Sequence, residues 1–396
     1  MDRVMTPQFA RVWIAGFLQE LSYSLMVHFP GHLSELGATE SRIGLVYAAA
    51  SVVALALRPV IGKVLDHTRR RTVLLVVGVL NAGSLMMLTM FETLGGALVA
   101  VYVIHRFLQI VMFTAMLTYE ADSLPERHRT KGLALFGLAG LIPIATGGAL
   151  GDVVIGRVGF DGLFVAAAAA QLVSWALVWA LPPLPDGARG VEPRRNFWAA
   201  LAQRDLLPMW FMAILFGAGL ETIFTFTRTM VDERRVGTVG LFFGVYGAVA
   251  IAGRVAASSR FDRAPQRALL VSSIAAIGAG IVLAGSATRL STFMVAAALS
   301  GLGHGLSYPI LSSQIVSRAR AAERGSAIAI FTSIFDVALF TVTPLVGLTI
   351  DLSGYPAAFG GVGIAVVAGA LVYAWWDRSL RPSPSPITPP SVPEAV

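Results

Sequence analysis

Long apolar stretches alternate with short polar bridges along the whole chain. Each stretch has about 20 residues, the length that an α-helix needs to cross the hydrocarbon core of a bilayer. Backbone groups in lipid must hydrogen-bond within their own segment, so these stretches are predicted to be helices. Twelve spans are predicted, at residues 11–30, 43–62, 72–91, 97–118, 132–155, 162–181, 207–227, 237–257, 268–287, 292–316, 325–350 and 357–376.

The composition agrees with a membrane class. The 396-residue chain is 56% hydrophobic and only 13% charged, whereas soluble proteins carry roughly 25% charged residues. It has no cysteine, which excludes a disulfide framework and a thiolate metal site. Its net charge of +7 is distributed between apolar stretches and forms no continuous basic face, so nucleic-acid binding is not expected. The sequence therefore predicts an all-α polytopic protein embedded in a lipid bilayer.

Lysine and arginine are distributed unevenly over the polar bridges. If the N-terminus lies in the cytoplasm and the spans alternate, most of the 30 Lys and Arg residues fall on the cytoplasmic side. The bridge "GKVLDHTRRR" at 62–71 shows this bias most clearly. We therefore expect an even number of spans, with both termini cytoplasmic, in a bacterial-type cytoplasmic (inner) membrane.

A long central bridge divides the chain into two parts. We predict a six-helix bundle at 1–182, a cytoplasmic linker at 183–206, a second six-helix bundle at 207–378 and a disordered Pro-rich tail at 379–396. The linker segment "NFWAALAQRD" has two open interpretations. It is either unstructured or a short interfacial helix with Phe197, Trp198 and Leu201 facing lipid.

The second part of the chain repeats the first. The segment "IGLVYAAASVVALALRPVIGKVLDHTRRRTVL" aligns without a gap on "VGLFFGVYGAVAIAGRVAASSRFDRAPQRALL" at an offset of 196 residues. "GF" at 159–160 is likewise answered by "GY" at 354–355. Parallel repeats of this kind build transporters with a central cavity between two rocking bundles. Three charged residues of the first segment recur in the same order in the second. Arg58 aligns with Arg254, Asp66 with Asp262 and Arg71 with Arg267.

The bridge after the second span resembles a motif of the major facilitator superfamily. It reads G-x-x-x-D-x-x-R-R-R and contains Gly62, Asp66, Arg70 and Arg71, with Arg69 where the family usually has glycine. With the twelve spans and the repeat, the resemblance covers nearly the whole chain. It implies the major facilitator fold of two pseudo-symmetric six-helix bundles. It also implies that Gly62 permits close helix contact and that Asp66 joins a charge network that closes the cytoplasmic side.

Two further motifs of that family are partial. "RFLQ" contains Arg106 and Gln109 of the fourth-helix motif, without the small residues that usually follow. "GLIPIATGG" is similar to the fifth-helix motif of exporters, with looser spacing. The stretches "RPVIGKVLD" and "SIFDVALFTVTPLVG" resemble a branch labelled arabinose-efflux-permease-like, a label that assigns no substrate.

Charged side chains inside the spans are the candidate functional residues. Each costs roughly 2.5–3.5 kcal/mol at the bilayer centre on insertion scales, so their presence calls for a reason. The resemblance implies that spans 1, 4, 7 and 10 line the cavity. The candidates for proton coupling or the substrate cavity are Glu20, Arg106, Gln109, Glu221, His304 and Asp336.

Each of these candidates also has a structural interpretation. A carboxylate that alternates between water and an occluded site can bind and release a proton, and a neighbouring arginine favours release. Alternatively, Glu20 and Arg106 form a static ion pair, Asp336 joins a neighbouring helix, and His304 makes a fixed hydrogen bond. The cytoplasmic gate is expected to contain Gly62, Asp66, Arg70, Arg71, Arg58, Arg254, Asp262 and Arg267.

These observations predict a proton-coupled secondary transporter that exports a small organic molecule, as an antiporter, by rocking its two halves. The alternative is a proton symporter that imports a sugar or an organic anion. The charge of Arg106 would suit an anion. A polytopic enzyme or sensor is a remote alternative, because the sequence has no P-loop, nucleophile elbow or metal-ligand cluster. We expect no enzymatic activity, cofactor or metal, and a monomeric protein.

Overall fold

The computed structural model describes residues 6–124, 129–181, 197–258 and 265–380. A 3-10 turn at Met26–His28 joins the first two helices. The helices are α1 (Pro7–Leu25), α2 (Phe29–Glu35), α3 (Glu40–His67), α4 (Arg70–Leu88), α5 (Gly96–Asp122), α6 (Arg129–Trp179), α7 (Phe197–Leu201), α8 (Leu207–Arg234), α9 (Val239–Ser258), α10 (Gln266–Ser286), α11 (Leu290–Arg318) and α12 (Arg324–Leu380).

The helices α6 and α12 each consist of two spans joined by a sharp bend. Gly159 (φ 70°) and Gly354 (φ 78°) mark the bends with non-helical backbone. Residues other than glycine rarely adopt this conformation, because their Cβ atom clashes with the backbone. If each bent helix counts as two crossings and α1 with α2 as one, the chain crosses twelve times. The prediction of an all-α fold with twelve spans is therefore confirmed.

The alternating crossings give the helix bundle two faces. The termini face contains the start of α1 and the end of α12, whereas the far face contains the bends at Gly159 and Gly354. By length and apolar composition, nine helices of the described ranges qualify as membrane spans, and α6 and α12 are among them. The helix α1 falls outside that group, and its sequence includes polar residues such as Gln19 and Glu20.

Small and hydroxylated residues hold the helices together within each half. In the first half, Ser22 Oγ donates to Ala167 O (2.8 Å) and Ser174 Oγ donates to Ala15 O (2.7 Å), which ties α1 to the second span of α6. Membrane helices lack a hydrophobic drive to associate, so hydrogen bonds and close packing of small residues take its place. In the second half, Ser307 Oγ of α11 donates to Ser273 Oγ of α10 (2.8 Å), so bonds of this kind join helices within both halves.

The two halves meet along two seams, α3 with α12 and α6 with α9. Both seams include close backbone approaches on the far-face side. A Cβ atom placed on Gly44 would overlap the Thr343 carbonyl, and one on Gly347 would overlap the Glu40 carbonyl. At the other seam, a Cβ atom on Gly240 would overlap Ala149. Glycine at these positions lets the backbones of opposite halves touch.

Part of the predicted linker is helical. The helix α7 leaves Trp198 74% exposed and buries Ala200, as expected for an interfacial helix. Leu201 departs from the prediction that it faces lipid, because it is half-buried and its carbonyl accepts a hydrogen bond from Trp210 Nε1 (3.2 Å). Residues 183–196 and the tail from 381 onward lie outside the described residues, and α12 extends to Leu380.

Candidate functional site

A cavity lies between the two halves, at the level where the middle parts of α5 and α8 face each other. Five of its twelve lining residues are aromatic, and Arg106 and Glu221 are the charged side chains among them. The lining consists of Tyr23, Ser24, Met26, Val27, Tyr47, Tyr102, Arg106, Ile144, Glu221, Phe224, Thr225 and Phe243.

Arg106 and Glu221 come from opposite halves. The Arg106 guanidinium carbon lies 5.2 Å from the centroid of the Tyr23 ring, within the range of a cation–π interaction. Among the described residues, neither Arg106 nor Glu221 forms an ion pair, with each other or with another side chain. The two charges therefore face one cavity without contacting each other.

Glu20 forms no ion pair with Arg106, and the nearby helix α5 contributes a second acidic side chain, Glu120, on this side of α1. A Cβ atom on Gly16, one turn before Glu20, would lie 2.8 Å from Glu120 Oε1. Glu120, in α5, is 6% exposed, and the carboxyl groups of Glu20 and Glu120 interact electrostatically. Neither forms an ion pair with a basic side chain in the described part of the chain. The static Glu20–Arg106 pair that the sequence left open is thus not formed.

Two other candidates lie away from the cavity lining. Gln109 is 4% exposed, and its Oε1 accepts a hydrogen bond from Asn81 Nδ2 of α4 (2.9 Å). It therefore joins two helices of the first half, which corrects its assignment to the cavity. His304 Nδ1 lies 2.6 Å from the hydroxyl of Tyr246 on α9, inside the second half. This contact matches the fixed hydrogen bond that was one of its two interpretations.

At the far face, two aspartates bind helix N-termini of the opposite half. Asp152 of α6 accepts a hydrogen bond from the Gly240 amide at the start of α9 (2.7 Å). Asp351 of α12 accepts from the amides of Glu40 and Ser41 at the start of α3 (2.9 Å each). The first turn of a helix has free N–H groups and a partial positive charge, so a carboxylate stabilises it.

Further polar contacts across the halves surround these aspartates. Glu40 accepts hydrogen bonds from the hydroxyls of Tyr355 (2.8 Å) and Thr229 (3.0 Å). Arg228 of α8 lies 3.6 Å from Asp152 of the first half. We call these four residues, together with Tyr355, Thr229 and His28, which contact them, the far-face cluster. The four are Asp152, Asp351, Glu40 and Arg228. It joins the halves by charged and polar groups at both seams.

His28, one of the contacts of this cluster, is fully buried. Its Nε2 lies 2.9 Å from the Gly148 carbonyl, and its Nδ1 lies 3.2 Å from Arg228 Nη1. An arginine N–H can only donate, so Nδ1 accepts and the ring is neutral, with its proton on Nε2. The histidine therefore bridges α6 and α8.

On the termini-face side of the cavity, Arg58 and Asp336 join the halves. Arg58 Nε donates to Asp336 Oδ2 (2.8 Å), and Arg58 Nη1 donates to Thr332 Oγ1 (2.9 Å). Asp336 is thus the partner of Arg58 across the α3–α12 seam. Arg254, the repeat counterpart of Arg58, forms no ion pair among the described residues, and its Nε donates to Gly305 O (3.3 Å).

Within the part of the chain that the structure describes, three arginines of the predicted cytoplasmic gate contact their own half. Arg70 Nε lies 3.3 Å from Asp122 Oδ2, and Arg71 Nε donates to Val178 O (3.2 Å). Arg267 Nε lies 3.7 Å from Asp377 Oδ2. Each arginine reaches a neighbouring helix end in its own bundle, so the described contacts of these three residues do not join the halves. The surroundings of Gly62, the side chain of Asp66 and the whole of Asp262 lie outside the described residues.

The sequence predictions missed the far-face cluster and Glu120. A signal for the cluster exists, because G-x-x-x-D occurs at both 148–152 and 347–351. It lies at the end of the fifth and of the eleventh span, which the repeat makes equivalent. For Glu120 the signal was weaker, because it follows the predicted end of the fourth span, whereas α5 continues to Asp122.

Known proteins share both the sequence pattern and the fold. The family model described as Major Facilitator Superfamily matches residues 12–338 and, in a second match, 236–394. An uncharacterized MFS-type transporter of Burkholderia mallei (strain SAVP1) is 25% identical over 367 residues, which covers 90% of this chain and 88% of the relative. One of Salmonella typhimurium (strain LT2) is 23% identical over 371 residues, with 91% and 94% covered.

Solved structures of transporters have the same fold. The nucleoside transporter NupG matches with a TM-score of 0.74 at 14% identity, over 94% of this chain and 99% of that one. A POT family transporter in complex with 5-aminolevulinic acid matches with 0.77 at 12%, over 94% and 96%. The human organic anion transporter MFSD10 matches with 0.67 at 16%, over 93% and 100%. At such identities the likeness concerns the fold alone.

Proposed function

The chain belongs to the major facilitator superfamily, and from that premise we propose that it is a proton-coupled antiporter that exports a small organic molecule. The family and its structural neighbours make it a membrane transporter that works by alternating access. Proton coupling, the direction of transport and the substrate are the parts that we propose. We also propose that the termini face is cytoplasmic, because most Lys and Arg residues fall there.

The buried Glu120 carboxyl group and its electrostatic interaction with Glu20 are the observations on which proton coupling rests. Two carboxylates that share a site repel each other when both are ionised, and burial disfavours the charged form further. Such a pair holds a proton readily and releases it when water or a cation gains access. No basic side chain in the described residues neutralises either group, so a proton is the simplest counter-charge.

The contacts between the halves provide two places at which access could be controlled. The far-face cluster joins both seams at one end of the cavity, and Arg58 with Asp336 joins one seam at the other end. Alternating access requires contacts at one face to break while those at the other form. We propose that the far-face cluster is the outer gate and that the Arg58–Asp336 pair belongs to the inner gate.

Export is favoured by the resemblance of the fifth span to exporters, and the glycines of that motif pack closely against other helices. A Cβ atom on Gly147 would lie 2.6 Å from Ser24 Cβ, and one on Gly148 would lie 3.1 Å from Val239 O. These glycines let α6 approach α1 and α9 closely. The second candidate is a proton symporter for an organic anion, which Arg106 in the cavity favours because it forms no ion pair with any described residue.

The proposal can be tested in inside-out membrane vesicles. Respiration acidifies their interior, and an exported compound should release protons, which dequenches acridine orange. A panel of amino acids, organic acids, sugars and cationic dyes serves as the set of probes. We expect dequenching by at least one probe class with the native protein, and none with Glu20→Gln or Glu120→Gln.

The matched control is Glu92→Gln, because Glu92 lies in an exposed turn of the far face. It should transport like the native chain. Substrate exchange without a proton gradient should continue in Glu120→Gln, because exchange needs no net proton movement. Full proton-driven transport in both the Glu20 and the Glu120 variants would contradict the assignment of coupling to this pair.

A further inference from the structure

The cavity contains a basic and an acidic side chain that form no ion pair with any of the described residues. Arg106 lies on α5 of the first half and Glu221 on α8 of the second, and both are half-buried. The nearest described partner of Arg106 is the ring of Tyr23, which stabilises a cation without neutralising it. Burial makes an unpaired charge unfavourable, so each group gains strongly from a ligand of opposite charge.

From this arrangement we propose that the substrate is a small zwitterion, with its acidic group on Arg106, its ammonium group on Glu221 and an apolar or aromatic body between them. A ligand of this kind neutralises both charges at once. A simple anion would leave Glu221 unpaired, and a simple cation would leave Arg106 unpaired. This inference rests on the proposed transport function and specifies the chemical class of the molecule carried.

The rest of the cavity wall fits such a body. Tyr47 and Tyr102 of the first half face Phe224 and Phe243 of the second. Aromatic faces pack against apolar groups and also attract an ammonium group. A sugar could bond to the hydroxyl groups of the lining, but as a neutral molecule it would leave both Arg106 and Glu221 without a counter-charge. The wall therefore favours an amino-acid-like molecule over a carbohydrate.

The division of the two charges between the halves has a consequence for transport. A zwitterion bound by Arg106 and Glu221 contacts both bundles at once, so it stabilises the arrangement in which they are closest around the cavity. A molecule with one charge would hold only one bundle by a strong contact. Selectivity for the zwitterion would then arise at the closing step as well as at binding.

Binding can be measured on the purified full-length chain in detergent, at constant pH and without a membrane. The probes are the common L-amino acids, each compared with its deaminated acid and its decarboxylated amine, by thermal shift and then calorimetry. A bound ligand raises the melting temperature in proportion to the logarithm of its excess. We expect at least one amino acid to bind, and both of its singly charged analogues to bind at least 10-fold more weakly.

Two variants test which group binds which charge. Glu221→Gln should lose at least 10-fold affinity for the amino acid while its affinity for the deaminated acid stays the same. Arg106→Gln should show the reverse, with an unchanged affinity for the amine, and Arg106→Lys should keep part of the affinity for the amino acid. Binding of no amino acid, or equal binding of an amino acid and its singly charged analogues, would overturn the proposal. The analogue comparison uses the native protein and holds even if a variant does not fold.

This measurement is independent of proton coupling. An amino acid that binds but releases no protons in the vesicle experiment would contradict the antiporter and leave the zwitterion site standing. If a different compound exchanges with protons while no amino acid binds, the antiporter would stand and the zwitterion site would be contradicted.

Discussion

Asp152 and Asp351 hold equivalent positions in the two halves, because each carboxylate binds the first backbone amides of a helix from the opposite half. Both end a G-x-x-x-D sequence, at 148–152 and 347–351. The glycine of each sequence lies against the first residue of the same partner helix. The same arrangement thus occurs at both seams. The glycine allows the helices to approach closely, and the aspartate binds the N-terminus of the partner helix.

Removing these carboxylates should loosen the far face. A carboxylate at a helix N-terminus contributes about 0.3–1 kcal/mol, so Asp152→Ala and Asp351→Ala should each increase opening about two- to five-fold, and the double variant more. The chain has no cysteine, so Thr225→Cys, buried in the cavity lining, can report opening. The measurement is its labelling rate by an impermeant maleimide added at the far face.

Glu92→Ala is the control for that experiment, because Glu92 is an exposed far-face acid. It should leave the labelling rate unchanged. An unchanged rate in the double aspartate variant would show that the two carboxylates do not hold the far face closed.

Close glycine packing predicts a position-dependent effect of alanine in α12. Gly347→Ala should lower the melting temperature or separate α3 from α12, since its Cβ atom would overlap the Glu40 carbonyl, which cannot rotate away. Gly361→Ala in the same helix meets no atom within 4 Å. It should be neutral or stabilise the helix by about 0.5–1 kcal/mol. Equal melting temperatures for the two variants would refute tight packing at Gly347.

The bends in α6 and α12 predict another contrast. Gly159 has φ 70° and ψ −169°, a region that is nearly restricted to glycine, and no atom would obstruct an added Cβ. Gly159→Ala should therefore cost about 1–3 kcal/mol from backbone strain alone. Gly156→Ala, also free of contacts but helical, is the control. Thermal unfolding in detergent compares them, and equal stability would mean that the bend tolerates a side chain.

The Arg58–Asp336 pair should show energetic coupling across the halves. Arg58→Met and Asp336→Leu each leave one charge without its partner, so the double variant should be more stable than the sum of the single effects predicts. For contacting residues we expect a coupling of about 0.5–3 kcal/mol in the unfolding free energy. Arg254→Met combined with Asp336→Leu is the matched control. Because these two residues are not in contact, their effects should add, and coupling of the same size in both cycles would argue against a specific pair.

The fold could be predicted from the sequence because a membrane span is recognised by the length of its apolar stretch and its low content of charged residues. The bends were also foreseeable, since Gly159 and Gly354 recur in the repeat. The partner of Arg58 was not, because Asp336 lies 278 residues away and only the docking of the halves brings them together. Gln109 was misplaced because a sequence does not show which side of α5 faces α4.

The alignment of the repeat also limited the prediction at the far face. The gapless offset of 196 residues equates Glu40 with Val236, whereas α9 begins at Val239. The three-residue difference, almost one helical turn, hid the equivalence of the two helix starts that Asp351 and Asp152 bind. The hydrophobic pattern aligns the middle parts of equivalent helices in the two halves. It does not determine how many residues the connecting loops contain.

The unequal environments of Arg58 and Arg254 have a mechanical consequence. On the termini-face side, the α3–α12 seam contains an ion pair, whereas among the described residues Arg254 at the α6–α9 seam forms no ion pair and donates to a carbonyl of its own half. On these contacts, a rotation that separates the halves there should cost less at the α6–α9 seam. We therefore expect the axis of rotation to lie near α3 and α12, so that the opening is wider along α6 and α9 and the substrate leaves or enters along that side.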